Sequence, residues 1–414
     1  VRIGIDGSCL SNRRGFGRFA RQTLAALARA GSAHEFTVYV DQYSSEAIAI
    51  PDNCQRVIVH VSESPSKAAS AHTRRTLRDM LAMSRAVARD RPDLMFFPAS
   101  YTFYPVWNVR RVVVTLHDTL ALARPELVFP TLKGRWAWAL KERLAVARAD
   151  RILTVSEASR RALIAWFRLD PARVVATTEG PDGVFRPMPP DGNSDTVLRR
   201  HGIDPTTRYL LYVGGLSPHK NLPRLVEAFA AGAPSDLRLA LVGDFNDTFH
   251  TRVPEIRRAI ANHGLDGRVQ FTGFVPDDEL AHLYSRAQAL VFPSLMEGFG
   301  LPAVEAMACG IPVLHSLAGS LPEVVGDAGL AFDPTDVSAI ASVIRSYFAD
   351  GCRRERLAQR ALQRSKLFTW EASAQHILAC FESLSPADAR ERAPLKHRPR
   401  GPWAPRRVSR NQCR

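Results

Sequence analysis

The residues best equipped for chemistry lie in one run, Pro293-Ser-Leu-Met-Glu297-Gly-Phe-Gly-Leu-Pro302-Ala-Val-Glu305. Gly298 and Gly300 let the backbone approach a ligand closely or take positive φ. Pro302 stands where a starting helix tolerates a missing N–H. The N-terminus of that helix offers free amides and a positive dipole end, which suits a phosphate group. Glu297 falls in the loop and Glu305 about a turn into the helix, so the two carboxylates can address different parts of one ligand. One could bind a sugar ring, the other ribose hydroxyls. The competing structural account makes Gly-Phe-Gly a tight turn and Glu305 a capping residue. Each glutamate taken singly fits that account; the complete run favours a ligand.

Such a loop needs a sheet to leave from, and the chain supplies two series of strands. Val1–Ile5, Phe36–Val40, Val57–Val61, Leu94–Phe97, Val112–Leu116, Ile152–Val155 and Val174–Thr177 are short apolar runs separated by amphipathic stretches, among them Arg18–Arg29, Arg74–Arg89, Arg135–Arg148 and Glu157–Phe167. Alternation resumes with Tyr209–Val213, Leu237–Val242, Val269–Thr272, Ala289–Phe292, Val313–His315 and Leu330–Phe332. This order predicts an α/β chain whose parallel sheets are covered on both faces. Between the series, the proline-rich stretch from Pro181 to Pro205 reads as a linker without an extended core element. The expected division is residues 1–186, a linker at 187–206, a second domain at 207–365, a helix at 366–384 packing back toward the first domain, and a disordered basic tail at 385–414. Two such units facing each other make a cleft, with ligands gathered at the carboxyl ends of the strands.

Length agrees: 414 residues suit two domains of about 180 each. No run of about 18 apolar residues exists, which excludes a membrane-spanning helix, and the strand-like start Val1–Ile5 lacks the order of a signal peptide. Six scattered cysteines show no metal or redox spacing and read as reduced thiols. A cytoplasmic protein is expected, with an option of peripheral attachment to the inner face of the plasma membrane. The net charge is +14, and the final thirty residues carry eight arginines and Lys396 against Asp388 and Glu391. That tail could bind phospholipid or nucleic acid nonspecifically, but no specific nucleic-acid recognition pattern is present.

The run Glu297–Glu305 resembles the E-x7-E signature of family 4 retaining glycosyltransferases, which have the GT-B fold of two facing Rossmann-like domains with an interdomain cleft. The resemblance extends over nearly all of residues 1–384. It includes Tyr212-Val-Gly-Gly-Leu-Ser-Pro-His-Lys220-Asn-Leu222, Thr272-Gly-Phe-Val-Pro276 and Phe368-Thr-Trp370, and in the first half Gly15-Phe-Gly17, His117-Asp118 and Thr154-Val-Ser156-Glu157. The subgroup with Lys-Asn and His-Asp here looks like bacterial mannosyltransferases that build surface polysaccharides, including lipopolysaccharide.

The resemblance implies these roles. Glu305 holds the donor ribose and Glu297 sits by the transferred sugar. Lys220 pairs with the diphosphate, beside Gly214 and Gly215. The backbone around Phe274 and Val275 faces the nucleobase. Phe299, Gly300 and Leu301 present amides to sugar and phosphate, while Gly15, Gly17 and His117 approach from the first domain. Asp118 orients its loop. The substrate is a nucleotide-diphosphate sugar, the acceptor a saccharide or lipid-linked saccharide, and no cofactor or metal is expected, since a lysine and a helix dipole would replace a cation at the leaving phosphate. One departure stands out: many relatives carry arginine at the position of Gly215, and His219 is the nearest partial substitute, unless it is a solvated loop residue. His117 has a bland alternative too, as a buried, satisfied histidine. The basic helices Arg74–Arg89 and Arg135–Arg148, the latter with Trp136, Trp138, Leu140 and Leu144, suit an anionic membrane surface or else pack on the core with a solvated charged face. The rival functions are a nucleotide-sugar epimerase of the same fold and a non-enzymatic binder that uses the tail.

Overall fold

A computed structural model describes residues 1–12, 14–30, 33–63, 76–129, 131–244 and 252–384. The basic tail and the first two residues of the helix expected from Arg74 lie outside the described residues. The first half runs β1 (Arg2–Asp6), α1 (Gly15–Arg29), β2 (Glu35–Asp41), α2 (Gln42–Ala47), β3 (Cys54–Val59), α3 (Leu77–Asp90), β4 (Leu94–Phe97), β5 (Arg111–Thr115), α4 (Leu120–Ala123), α5 (Leu132–Arg148), β6 (Arg151–Thr154), α6 (Glu157–Phe167) and β7 (Val174–Ala176). Then follow α7 (Gly192–Arg200), β8 (Tyr209–Val213), α8 (Leu222–Gly232), β9 (Arg238–Val242), α9 (Val253–Asn262), β10 (Val269–Gly273) and α10 (Asp277–Arg286). The chain continues with β11 (Ala289–Phe292), α11 (Leu301–Ala308), β12 (Val313–Ser316), α12 (Leu321–Val325), β13 (Gly329–Phe332), α13 (Val337–Ala349), α14 (Gly351–Ser365) and α15 (Trp370–Glu382).

Among the described residues the strands form two all-parallel sheets, ordered β3-β2-β1-β4-β5-β6-β7 and β10-β9-β8-β11-β12-β13. Parallel strands wrapped by helices are buried on both faces, hence the near-continuous apolar runs. Val112, Val113 and Val114 of β5 are wholly buried, as are Leu210, Leu211 and Tyr212 of β8. Each sheet winds outward in both directions from its middle. The strand order therefore reverses between β1 and β4 and between β8 and β11, and the crevice at such a reversal is where loops can splay around a ligand.

The segment read as a linker holds a core element, contrary to expectation. Asp191 caps the start of α7 by accepting from the Ser194 amide at 2.9 Å. Val197 and Leu198 then bury themselves, and Arg286 of α10 pairs with Asp195 at 2.9 Å. Prolines 187, 189 and 190 stop short of this helix rather than interrupting it. At the far end, α15 returns to the first half. Phe381 packs edge-on against Phe96 with ring centroids 5.3 Å apart, and Ser373 shares a 2.9 Å hydrogen bond with Thr177. The five described cysteines are unpaired. Among the described residues no helix is long and apolar enough to cross a membrane.

Candidate active site

The loops after β8 and β11 flank the reversal in the second sheet, and they carry Lys220 and Glu297. Lys220 ends a single 3-10 turn, Pro218–Lys220, which Asn221 stops with a left-handed φ of 61°. The Asn221 side-chain Nδ2 donates to the carbonyls of Pro293 (3.1 Å) and Pro334 (2.7 Å), binding this turn to the neighbouring loop. Lys220 Nζ then reaches Glu297 Oε1 at 2.7 Å, with both side chains largely buried. Burial alone would raise the Glu297 carboxyl; the Lys220 ammonium, with help from His219 and Ser294, brings it below the usual carboxylate range. His219 is not a solvated loop residue: it is largely buried and lines the cavity beside Ser217. Burial, reinforced by Lys220, pushes the imidazole down to about 4, so it is neutral at pH 7, and its Nδ1 lies 3.3 Å from the Ser217 hydroxyl.

Gly214, at φ 151°, lies close under the Lys220 stem: a Cβ there would meet the Tyr212 hydroxyl at 2.8 Å and Lys220 Cε at 3.8 Å. Tyr212 donates to the Gly215 carbonyl at 2.6 Å. Gly300, at φ 97°, caps α11 in the left-handed region, and a Cβ would strike Leu321 at 2.7 Å. The start of α11, at Phe299, Gly300 and Leu301, has no side-chain cap on its amides. Phe274 and Val275 leave β10 at the same edge after a turn at Gly273, φ 76°. The Val275 side chain joins the core, whereas the Phe274 ring is 61% exposed.

Glu305 is 2% exposed and points into the gap between the domains. There it pairs with Arg18 of α1 and accepts from the Tyr284 hydroxyl at 3.0 Å. Arg18 also forks onto Asp277, the first residue of α10, at 2.6 and 2.7 Å. Burial, opposed by Arg18 and assisted by Asp277, leaves the Glu305 carboxyl above its usual value. Arg18, Asp277 and Tyr284 were missed by the sequence reading. Arg18 directly follows Gly15-Phe-Gly17, and that adjacency was the one available signal.

On the first-domain side, His117 and Asp118 follow β5. The His117 ring lies edge-on between Phe16 and Phe19, 4.8 Å from each centroid. Its Nε2 is 3.2 Å from the Pro98 carbonyl, and since a carbonyl only accepts, that nitrogen carries the hydrogen. Its Nδ1 lies 3.6 Å from Glu179. His117 is thus held by packing while still lining the cleft. Asp118 accepts from the Leu120 amide at 2.8 Å, and burial raises its carboxyl. Gly17 is pressed against the Asn12 carbonyl, where a Cβ would come within 1.8 Å, while Gly15 faces open space.

The domains meet at Gly298. A Cβ there would lie 2.7 Å from the His117 carbonyl, so glycine is what allows the approach. Ser156 and Ser159 donate to the Gly298 carbonyl at 2.6 and 3.1 Å. Close by, Glu323 of α12 caps α6 across the gap, accepting from the amides of Glu157 and Ala158 at 2.8 and 2.9 Å. The structure therefore pairs Lys220 with Glu297 next to Gly298, sets Gly298 against the His117 loop, and joins Glu305 to Arg18 across the two halves.

Comparison with known proteins gives this arrangement a family. The profile described as Glycosyltransferase Family 4 matches residues 13–180, and that described as Glycosyl transferases group 1 matches residues 193–364. O-antigen chain mannosyltransferase B of Escherichia coli is 30% identical over 379 residues, covering 89% of this chain and 96% of that one. D-inositol 3-phosphate glycosyltransferase of Thermomonospora curvata is 31% identical over 253 residues, 58% of this chain and 59% of its own. Sucrose-phosphate synthase from Thermosynechococcus elongatus has the same fold, with a TM-score of 0.73 at 22% identity, covering 92% of this chain and 98% of that one. The two parallel-sheet halves are the GT-B fold. Matched along most of its length by such a relative, the chain belongs to the family 4 glycosyltransferases.

Proposed function

We propose that the chain moves a hexose, with mannose the first candidate, from a nucleotide-diphosphate sugar to a saccharide or lipid-linked saccharide, with retention at the anomeric carbon. The observation that carries this reading is the Lys220–Glu297 pair at the strand reversal, roofed by the His117 loop. The likeness to an O-antigen mannosyltransferase supports the sugar. In this reading the ribose diol replaces Arg18 at Glu305, and the diphosphate takes Lys220 and the amides starting α11. Glu297, freed of its partner, takes the sugar hydroxyls. As the glycosidic bond breaks, negative charge grows on the leaving phosphate, where a fixed cation and helix amides lower the barrier most. The leaving phosphate accepts the acceptor's proton on the same face, and Lys220 with the α11 amides stands in for a metal at that phosphate.

The acceptor is proposed to arrive at an anionic membrane surface. Leu132, Trp136, Leu140 and Leu144 recur every fourth residue along α5 and are all exposed, Trp136 at 72%. Lys133, Arg135 and Arg143 stand on the same helix. An exposed apolar stripe bordered by cations suits the headgroup boundary better than a core-packed helix.

The test is a panel of nucleoside-diphosphate hexoses, read by thermal stabilisation and by nucleotide release. The true donor raises the melting temperature by mass action and is consumed. Glu305→Ala should weaken donor binding and Glu297→Ala should mainly lower turnover. No stabilisation and no turnover across the panel, or wild-type kinetics in both variants, would overturn the proposal.

A further inference from the structure

One carboxyl in the cleft is left without a task by the roles above. Glu142 projects from α5 at 4% exposure into a cavity lined by Phe16, Tyr101 and Trp138, and by His117, Asp118 and His219 near the reacting end. Its Oε1 accepts from the Ser100 hydroxyl at 3.3 Å. Its Oε2 and the Trp138 indole N–H beside it are both buried, and neither makes a hydrogen bond of good geometry, although the indole is near enough to lower the carboxyl slightly. Burial first, then the charge of Asp118, pushes the carboxyl up to about 8. At neutral pH it therefore keeps its proton and offers both a donor and an acceptor. A buried polar atom left unpaired weakens the fold, and such costs persist where function needs them.

The surrounding chemistry narrows the ligand. Aromatic faces beside a few polar groups match the apolar faces and hydroxyl rim of a pyranose ring. No lysine or arginine is among the residues lining the cavity, and Asp118 would repel an anion. We propose that Glu142 binds a hydroxyl of an uncharged acceptor sugar seated on these aromatic rings, and so selects a neutral saccharide over a phosphorylated polyol as acceptor. This rests on the transferase reading, which puts the reacting carbon beside His117 and Asp118.

The experiment uses the full chain and two variants, Glu142→Gln and Glu142→Leu, with Glu142→Ala as a second truncation should the leucine variant fold poorly. Binding of the methyl α-glycosides of mannose, glucose and galactose, of mannobiose, and of inositol phosphate as the anionic control is followed by saturation-transfer NMR. Donor-induced stabilisation is measured in parallel. The expected result is that at least one uncharged sugar binds wild type and Glu142→Gln similarly, and binds the truncated variants about tenfold more weakly, the loss of one good hydrogen bond. Donor-induced stabilisation should not change, and the melting temperature of Glu142→Leu should equal or exceed that of wild type, which a purely structural carboxyl would not allow. Equal sugar affinity in the truncated variants, preference for inositol phosphate, or no sugar bound by wild type would each overturn the proposal. Intact sugar binding with no donor response would refute the transferase reading and leave the sugar site standing.

Discussion

Replacing Lys220 by methionine keeps the length of the side chain and removes its charge. Two consequences follow, and they can be separated. Loss of a preorganised donor at the leaving phosphate should cost roughly 3–4 kcal/mol of barrier, a hundredfold to a thousandfold in kcat. The second concerns Glu297. The paired side chains are only 14% and 12% exposed, so the variant leaves a carboxylate buried without its cation, and breaking such a pair costs about 3–5 kcal/mol of stability. In the wild type the folded carboxyl titrates below its ordinary value of 4.5. Its contribution to stability is therefore complete above that value and fades as pH falls through the folded one. In Lys220→Met only burial acts strongly, the carboxyl rises, and the sign reverses: the destabilisation shrinks as pH falls through the raised value. The double variant Lys220→Met/Glu297→Gln should recover most of the stability and none of the rate. Denaturant unfolding at several pH values, combined with kcat corrected for the folded fraction, reads both effects. An unchanged kcat per folded molecule, or a double variant as unstable as the single one, would refute this account.

Further outcomes are expected elsewhere. Gly298→Ala must push the domains apart, because its methyl would lie 2.7 Å from the His117 carbonyl; a loss of about 1–3 kcal/mol of the closed arrangement should appear as a larger radius in small-angle scattering and a fall in transfer. Serine at both Trp136 and Leu140 should abolish sedimentation with anionic vesicles at low salt while leaving turnover of a soluble acceptor intact. Chelation with EDTA should not change the initial rate if Lys220 serves as the cation at the leaving phosphate. Deleting residues 385–414 should leave donor turnover unchanged, whereas a tail-driven binder would lose its activity.

The central strands were readable from sequence because they are buried on both faces, whereas the partly exposed edge strand β3 begins three residues before the apolar run that announces it. An apolar run four or five residues long, such as Ala289–Phe292, has no other role between two helices. The Glu297–Glu305 run was readable for a similar reason, since glycines and a proline at fixed distances dictate a loop and a helix start. What stayed hidden depended on chain partners distant in sequence. Arg18 lies 287 residues from Glu305, and nothing in its neighbourhood along the chain names that partner. Glu142 was hidden by its company: within a helix rich in Lys141, Arg143 and Arg148 a lone glutamate looks like a surface ion-pair residue, and only the packing of α5 turns it inward. The helix α7 is masked in the sequence by Pro187, Pro189 and Pro190, although Asp191 caps its start just beyond them.

The Gly298 carbonyl, clasped by two serines of the opposite lobe, belongs to the stretch of backbone that also bears Glu297. The backbone beside Glu297 is thus also where the two lobes touch. Any product release that requires the lobes to part must first break that clasp. Turnover would then slow in viscous solvent even with the bond-making steps untouched.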